Sequence, residues 1–239
     1  MSDEERGGGP AGTLYIVSTP IGNLEDITRR SVECLNQADL IAAEDTRRTG
    51  ILLKHYQIKT RLSSYNSYNQ QKKGGQFIAR LKKGEDLALV SDAGTPGVSD
   101  PLYHLVRTAL EENIPVVSIP GPSAVLAALT VSGLPVDRFV FEGFLPRKKG
   151  RRRLIQELAE EKRTIVIFES PHRIGKTLDE LHEVMGDRPA VLARELTKIH
   201  EEVIRGSLKE LASIAAERKL KGEITLIISG CSKKNKKES

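Results

Sequence analysis

The 239-residue chain carries 37 Lys and Arg against 32 Asp and Glu, a formal net charge of +5, with 38% hydrophobic and 29% charged residues. That balance excludes a disordered chain, and the length allows one large domain or two small ones. The charge is local: residues 147–153 (RKKGRRR) hold six cations, the tail 233–238 adds +3 and the head 3–6 subtracts two, leaving a body of −2, which excludes a histone-like coat of charge.

In chain order, the head 1–12 is acidic and glycine-rich and reads as a flexible segment, not a signal peptide. Short apolar runs bounded by turn residues predict strands at 14–17, 40–43, 87–90, 116–119, 139–141, 165–168, 190–193 and 224–228, with helical stretches between many of them. Residues 113–136 carry no charge over a length that would span a bilayer. Pro115, Pro120, Pro122 and Pro135 would break such a helix, so the segment is read as a buried strand 115–119, a rigid PGP turn and a short apolar helix from Ser123. Asp100-Pro101 and Ser170-Pro171 each set a capping side chain before a proline at the first helical position, and Ser123 and Ser207 can cap the helices that follow. A short polar link between 190–193 and 202–206 predicts antiparallel pairing there. The alternation predicts an α/β fold whose halves meet at the PGP turn. Cys34 and Cys231 are too few for a disulfide framework or a metal cage, and five scattered histidines add no cluster, so a reduced, cytoplasmic protein is expected.

No G-x-G-x-x-G follows a predicted strand, so a dinucleotide-binding fingerprint is absent. Residues 170–177 (SPHRIGKT) nearly match a phosphate-binding loop. Ser170 replaces its first glycine, and Pro171 lacks the N–H such a cradle needs, so Gly175, Lys176 and Thr177 are expected inside a helix. Four loops after strands are more informative: 18–23, 44–48, 91–97 and 120–124, all rich in small or polar residues. Ligands of open α/β sheets sit beyond the carboxyl ends of strands, and such loops can grip them through the main chain.

The motifs TPIGN (19–23), EDTR (44–47), SDAGTP (91–96), PGPSA (120–124), SGLP (132–135), FEGFLP (141–146), FESPHR (168–173), ARELTK (193–198) and GEITL (222–226) occur in that order. With them the chain resembles the ribosomal RNA small subunit methyltransferase I family of the tetrapyrrole-methylase superfamily. Leu102 stands where the family usually has Gly, and residues 64–71 lack the family's His and Glu. The resemblance implies two α/β domains, 13–120 with a mostly parallel sheet and 121–231 with a mixed sheet, followed by a basic tail 232–239. It also implies S-adenosylmethionine in the interdomain cleft, a homodimer, and methylation of a cytidine 2′-hydroxyl in the decoding region of 16S rRNA within the small ribosomal subunit. No metal and no membrane are expected.

On that resemblance the cofactor meets Ser91, Asp92, Ala93, Gly94, Val98, Ser99, Ser123, Ala124, Phe168, Glu169, Glu223 and Ile224. A ribose hydroxyl is a weak nucleophile, and a positioned base contributes about 10²–10⁴-fold. Candidates are His172, Glu44, Asp45 and Glu169; imidazole is the side chain that exchanges protons near neutrality. Asn23, Asp45, Arg47, Arg173, Arg194 and Lys198 are candidate RNA contacts, the cations either holding phosphates or closing internal salt bridges. Arg147, Lys148, Lys149, Arg151, Arg152 and Arg153 form the strip that suits a phosphate backbone. With 4% aromatic residues no base-stacking platform is expected. A tetrapyrrole methylase of the same fold and a non-enzymatic RNA-binding assembly factor remain as alternatives.

Overall fold

Two runs in which every residue is apolar, Leu40–Ala43 (β2) and Leu87–Val90 (β4), are buried at every position, as central parallel strands covered on both faces must be. The structure is a computed structural model that describes residues 10–97 and 103–231. Its first unit runs to Ser123 and its second begins at Ala124. In the first, β1 (Leu14–Val17), β3 (Leu62–Ser64) and β5 (Val116–Ile119) complete a sheet of order β3-β2-β4-β1-β5. All four of its pairings are parallel.

Helices α1 (Arg29–Gln37), α2 (Thr46–His55), α3 (Gln70–Leu81) and α4 (Tyr103–Glu111) connect these strands. The strand period of two sorts the core. Leu40, Ala42, Leu87 and Leu89 pack with Phe77, Ile78, Leu81 and Leu105, whereas Ile41, Ala43, Ala88 and Val90 pack with Leu35, Leu52 and Leu53. Asn113 to Val136 holds β5 and a helix, and among the described residues no helix is long and apolar enough to cross a membrane. The expectation of a buried strand here is corrected. β5 is the sheet edge, with Val117 and Ser118 exposed. β3 escaped prediction because Leu-Ser-Ser offers one apolar residue to read.

The second unit comprises α5 (Ala124–Ser132), β6 (Phe139–Phe144), α6 (Arg151–Ala159), β7 (Thr164–Glu169), α7 (Ile174–Met185), β8 (Pro189–Arg194), β9 (Glu202–Ser207), α8 (Leu208–Glu217) and β10 (Ile224–Ile228). Its sheet is mixed, of order β6-β7-β10-β8-β9. β6 and β7 are parallel, and the other pairings, β8 with β9 included, are antiparallel. Ile155, Leu178, Leu181, Leu208 and Leu211 from α6, α7 and α8 pack on Ile165, Ile167, Leu192 and Leu226. The opposite face, with Val166, Val191 and Ile227, receives Val125, Ala128 and Leu129 of α5.

Ser207 caps α8 in a capping box with Glu210. The Ser170-Pro171 device behaves differently from expectation: residues 171–173 form a turn, and α7 starts at Ile174. The Ser170 carbonyl accepts from both Arg173 and Ile174, which closes this turn first. Asp100-Pro101 lies outside the described residues.

Candidate functional site

At the carboxyl ends of β1, β2, β4 and β5 the four small-residue loops are tied together. Thr19 and Gly94 exchange both main-chain hydrogen bonds, at 2.9 and 3.0 Å. Ser18 and Thr95 hydroxyls meet at 3.0 Å, and Thr95 donates to the Pro122 carbonyl. The loop 120–122 lies against β1 so closely that a Cβ on Gly121 would sit 2.9 Å from the Ser18 Cβ, so only glycine fits there. Asp92 Oδ1 accepts the Asp45 N–H at 2.9 Å and Oδ2 faces Arg48 at 3.7 Å, joining the second loop to the third.

Asp45 caps α2 through the Arg47 N–H. The hydrogen bond from the Arg47 guanidinium holds its carboxyl down at about 2. Glu44 is half-buried at the end of β2, and Asn23 caps the turn at Leu24–Asp26. Ala93 is exposed beside Ser91, whose hydroxyl donates to the Ala93 carbonyl. Val98 and Ser99 lie outside the described residues. Ser123 and Ala124 are half-buried at the start of α5. Among the described residues no three His, Cys, Asp or Glu gather as a metal site.

In the second unit a cavity of about 740 Å³ opens at the carboxyl ends of β6 and β7. Phe144, Pro146, Arg147, Ser170, His172 and Lys176 are among its lining residues. A network of buried charge lies beneath. Arg151, 8% exposed, donates from Nε to Glu180 at 2.6 Å and from Nη2 to the Thr177 hydroxyl at 2.8 Å. That hydroxyl donates to Glu169 Oε2 at 2.7 Å. Glu169, 2% exposed, accepts the Ser170 N–H and faces Arg151 at 3.8 Å and Arg173 at 3.4 Å. Arg173 Nη2 donates to the Leu145 carbonyl, which fixes the loop after β6 against the loop after β7. Gly175, Lys176 and Thr177 are helical, as the proline argument required.

One expectation about the basic strip is corrected. Arg151 is not part of a solvent-facing strip, because its guanidinium is taken up by Glu169, Glu180 and Thr177. Exposed cations remain at Arg147, Lys148, Lys149, Arg152 and Arg153, the last paired with Glu157. Arg173 is engaged internally, and so is Arg194, which binds Glu202 and the Lys221 and His200 carbonyls. Lys198 is held by Glu195 and Glu223. Arg47 pairs with Asp45 but stays at the surface.

The Glu169 carboxylate accepts from Ser170 and Thr177, and the Glu223 N–H and carbonyl are both bonded to Glu195. Ile224 is core. Phe168 packs edge-on to Phe141 at 4.9 Å and lies 5.6 Å from Phe144, so three rings cluster at the ends of β6 and β7. Lys176 and Phe144 line the cavity and are not among the sequence candidates; Gly143, a glycine inside a strand, is the sequence signal for the irregularity that presents Phe144.

The family described as Tetrapyrrole (Corrin/Porphyrin) Methylases matches residues 13–212. The chain is 51% identical over 219 residues to the ribosomal RNA small subunit methyltransferase I of Thermotoga maritima, covering 92% of this chain and 99% of that one. It is 52% identical over 221 residues to the protein of the same name from Synechocystis sp., covering 92% and 79%. Among solved structures it is similar to the uroporphyrin-III C-methyltransferase from Thermus thermophilus complexed with S-adenyl homocysteine, with a TM-score of 0.66 at 19% identity over 91% of this chain and 97% of that one. At that identity the likeness concerns the fold.

Proposed function

The chain belongs to the tetrapyrrole methylase family and, within it, to the ribosomal RNA small subunit methyltransferase I family, and from that premise we propose that it methylates the 2′-hydroxyl of a cytidine in the decoding region of 16S rRNA, using S-adenosylmethionine. The observation that carries this reading is identity near one half along nine-tenths of the chain with relatives of that name. Solved structures that act on tetrapyrroles share only the fold, at 19% identity, so a small-molecule methylase is not favoured.

S-adenosylmethionine supplies an electrophilic methyl group when bound. Asp92, Ala93 and Gly94, in the loop braced by Thr19 and Asp45, are the residues to hold it. His172 lines the cavity of the second unit and is exposed, which supports it as the residue that takes the 2′-hydroxyl proton on a ring nitrogen. Arg147, Lys148, Lys149, Arg152 and Arg153 face solvent and offer phosphate contacts.

The enzyme is expected to work in the cytoplasm on the small subunit, as a homodimer. Exposed Leu126 and Val131 on α5 offer apolar surface for a second copy. The test is methylation of isolated small subunits lacking the modification, mapped at nucleotide resolution. A methylated cytidine ribose supports the reading. Unmodified particles, with a tetrapyrrole precursor methylated instead, would overturn it.

A further inference from the structure

β6 does not run regularly. Its register against β7 shifts between Phe141 and Gly143, and Gly143 takes a φ of +64°, which glycine adopts without strain. In a regular strand, residues three apart point to opposite faces. The shift instead brings both Phe141 and Phe144 onto Phe168, at 4.9 and 5.6 Å. Phe141 and Phe168 are absorbed by the core, while Phe144 remains 57% exposed. Phe144 also lines the 740 Å³ cavity, whose other lining residues include Arg147, His172 and Lys176. The cavity floor is held by the Arg151, Glu169 and Arg173 network, so the ring and the cations share a fixed frame. An exposed ring backed by two others, with cations around it, is the chemistry that receives a nucleotide taken out of its stack.

Resting on the reading of the chain as an rRNA methyltransferase, we infer that this cavity seats one unstacked ribonucleotide, its base against Phe144 and its phosphate toward Arg147 and Lys176. Gly143 signals an irregularity in the sequence, but the register shift decides which way the Phe144 ring points. Seating a single nucleotide in this way lets the enzyme address a ribose inside folded RNA after drawing its base out, with stacking on the ring offsetting the unstacking.

The test uses the full-length protein with isolated small subunits as substrate and reads kcat, KM for the subunits and affinity for S-adenosylmethionine. Stacking contributes about 1–3 kcal/mol per base, or about 5- to 150-fold in affinity. Phe144→Ala and Phe144→Leu should both raise KM for the subunits within that range. Phe144→Tyr should restore it, and cofactor affinity should stay within twofold in all three. Lys176→Gln should lower the salt dependence of RNA binding by about one phosphate contact. Rescue by Leu as good as by Tyr would show mere apolar packing and overturn the stacked seat. An active parent whose KM is indifferent to Phe144→Ala would overturn it as well, leaving the methyltransferase reading intact. A parent that methylates no rRNA would overturn that reading and the seat with it.

Discussion

Asp92 Oδ1 accepts the main-chain N–H of Asp45 at 2.9 Å, so a carboxylate after β4 fixes the start of the helix after β2. Two of the four loops expected to meet a ligand are thereby tied together. Asp92→Ala removes both this bond and the facing charge for Arg48. A hydrogen bond to a charged group contributes about 1.5–3 kcal/mol, so affinity for S-adenosylmethionine should fall about 10- to 100-fold by calorimetry. Asp92→Asn keeps an acceptor for Asp45 and should fall between. Unchanged affinity in the alanine variant would remove Asp92 from the binding site.

His172 sits on an exposed turn held by the Ser170 hydroxyl, which accepts its main-chain N–H at 3.3 Å. No other element depends on its ring in this contact. His172→Ala should therefore keep the thermal stability of the parent and lose about 10²–10⁴-fold in kcat, the range for a positioned base. A loss of less than threefold in single-turnover methylation would assign proton removal elsewhere.

The strip 147–153 should divide by burial. Arg151→Ala takes the hydrogen-bonding guanidinium from Glu180 and Thr177 and one of the two cations facing buried Glu169, leaving Arg173 as the other; breaking one side of a buried pair costs up to about 3–5 kcal/mol. Arg152→Gln at an exposed position should change stability by less than about 0.5 kcal/mol. Titration with small-subunit rRNA at several salt concentrations should show the reverse ranking, with the slope of log K reduced by Arg152→Gln combined with Arg147→Gln. Equal unfolding free energies for Arg151→Ala and Arg152→Gln would contradict the buried network.

The link after β8 is pH-sensitive in a predictable direction. The hydrogen bond from Lys198 holds the Glu195 carboxyl below its usual range. Burial works against the Lys198 charge, but hydrogen bonds to Glu195 and Glu223 outweigh it and raise its pKa. A lowered carboxylate adds stability above its unfolded value and loses it as pH falls through the folded one; a raised ammonium adds stability below its unfolded value and loses it as pH rises through the folded one. Lys198→Met should therefore cost about 1–2 kcal/mol at neutral pH. The difference from the parent should shrink as pH falls below about 4, where unfolded Glu takes up its proton. Thermal melts from pH 3 to 8 measure this, and a gap that does not narrow in acid would assign the effect to packing.

Much of this protein is local enough to read from its chain. β1, β2, β4, β5 and β10 fall where apolar runs end at turn residues, and Ser207 with Glu210 announces α8. The loops after β1, β2, β4 and β5 were legible because glycine, proline and short polar side chains fix turns by their own backbone preferences. β3 was not, because three residues with one apolar side chain carry no period.

The sequence by itself determined the order of strands and helices apart from β3, the small-residue loops after strands and, through nine motifs, the family. Periods of 2 and 3.6, caps and prolines act over a few residues, so they need no partner to be recognised. Only the tertiary structure decided that Arg151 turns inward while its neighbour Arg152 stays outside, since a cation's fate depends on which carboxylates the fold brings to it, here from 18 and 29 residues away. It decided likewise that β5 is an edge and that Phe144 faces a cavity. Both follow from how strands pair and slip in register, which is set by contacts between residues distant in the chain.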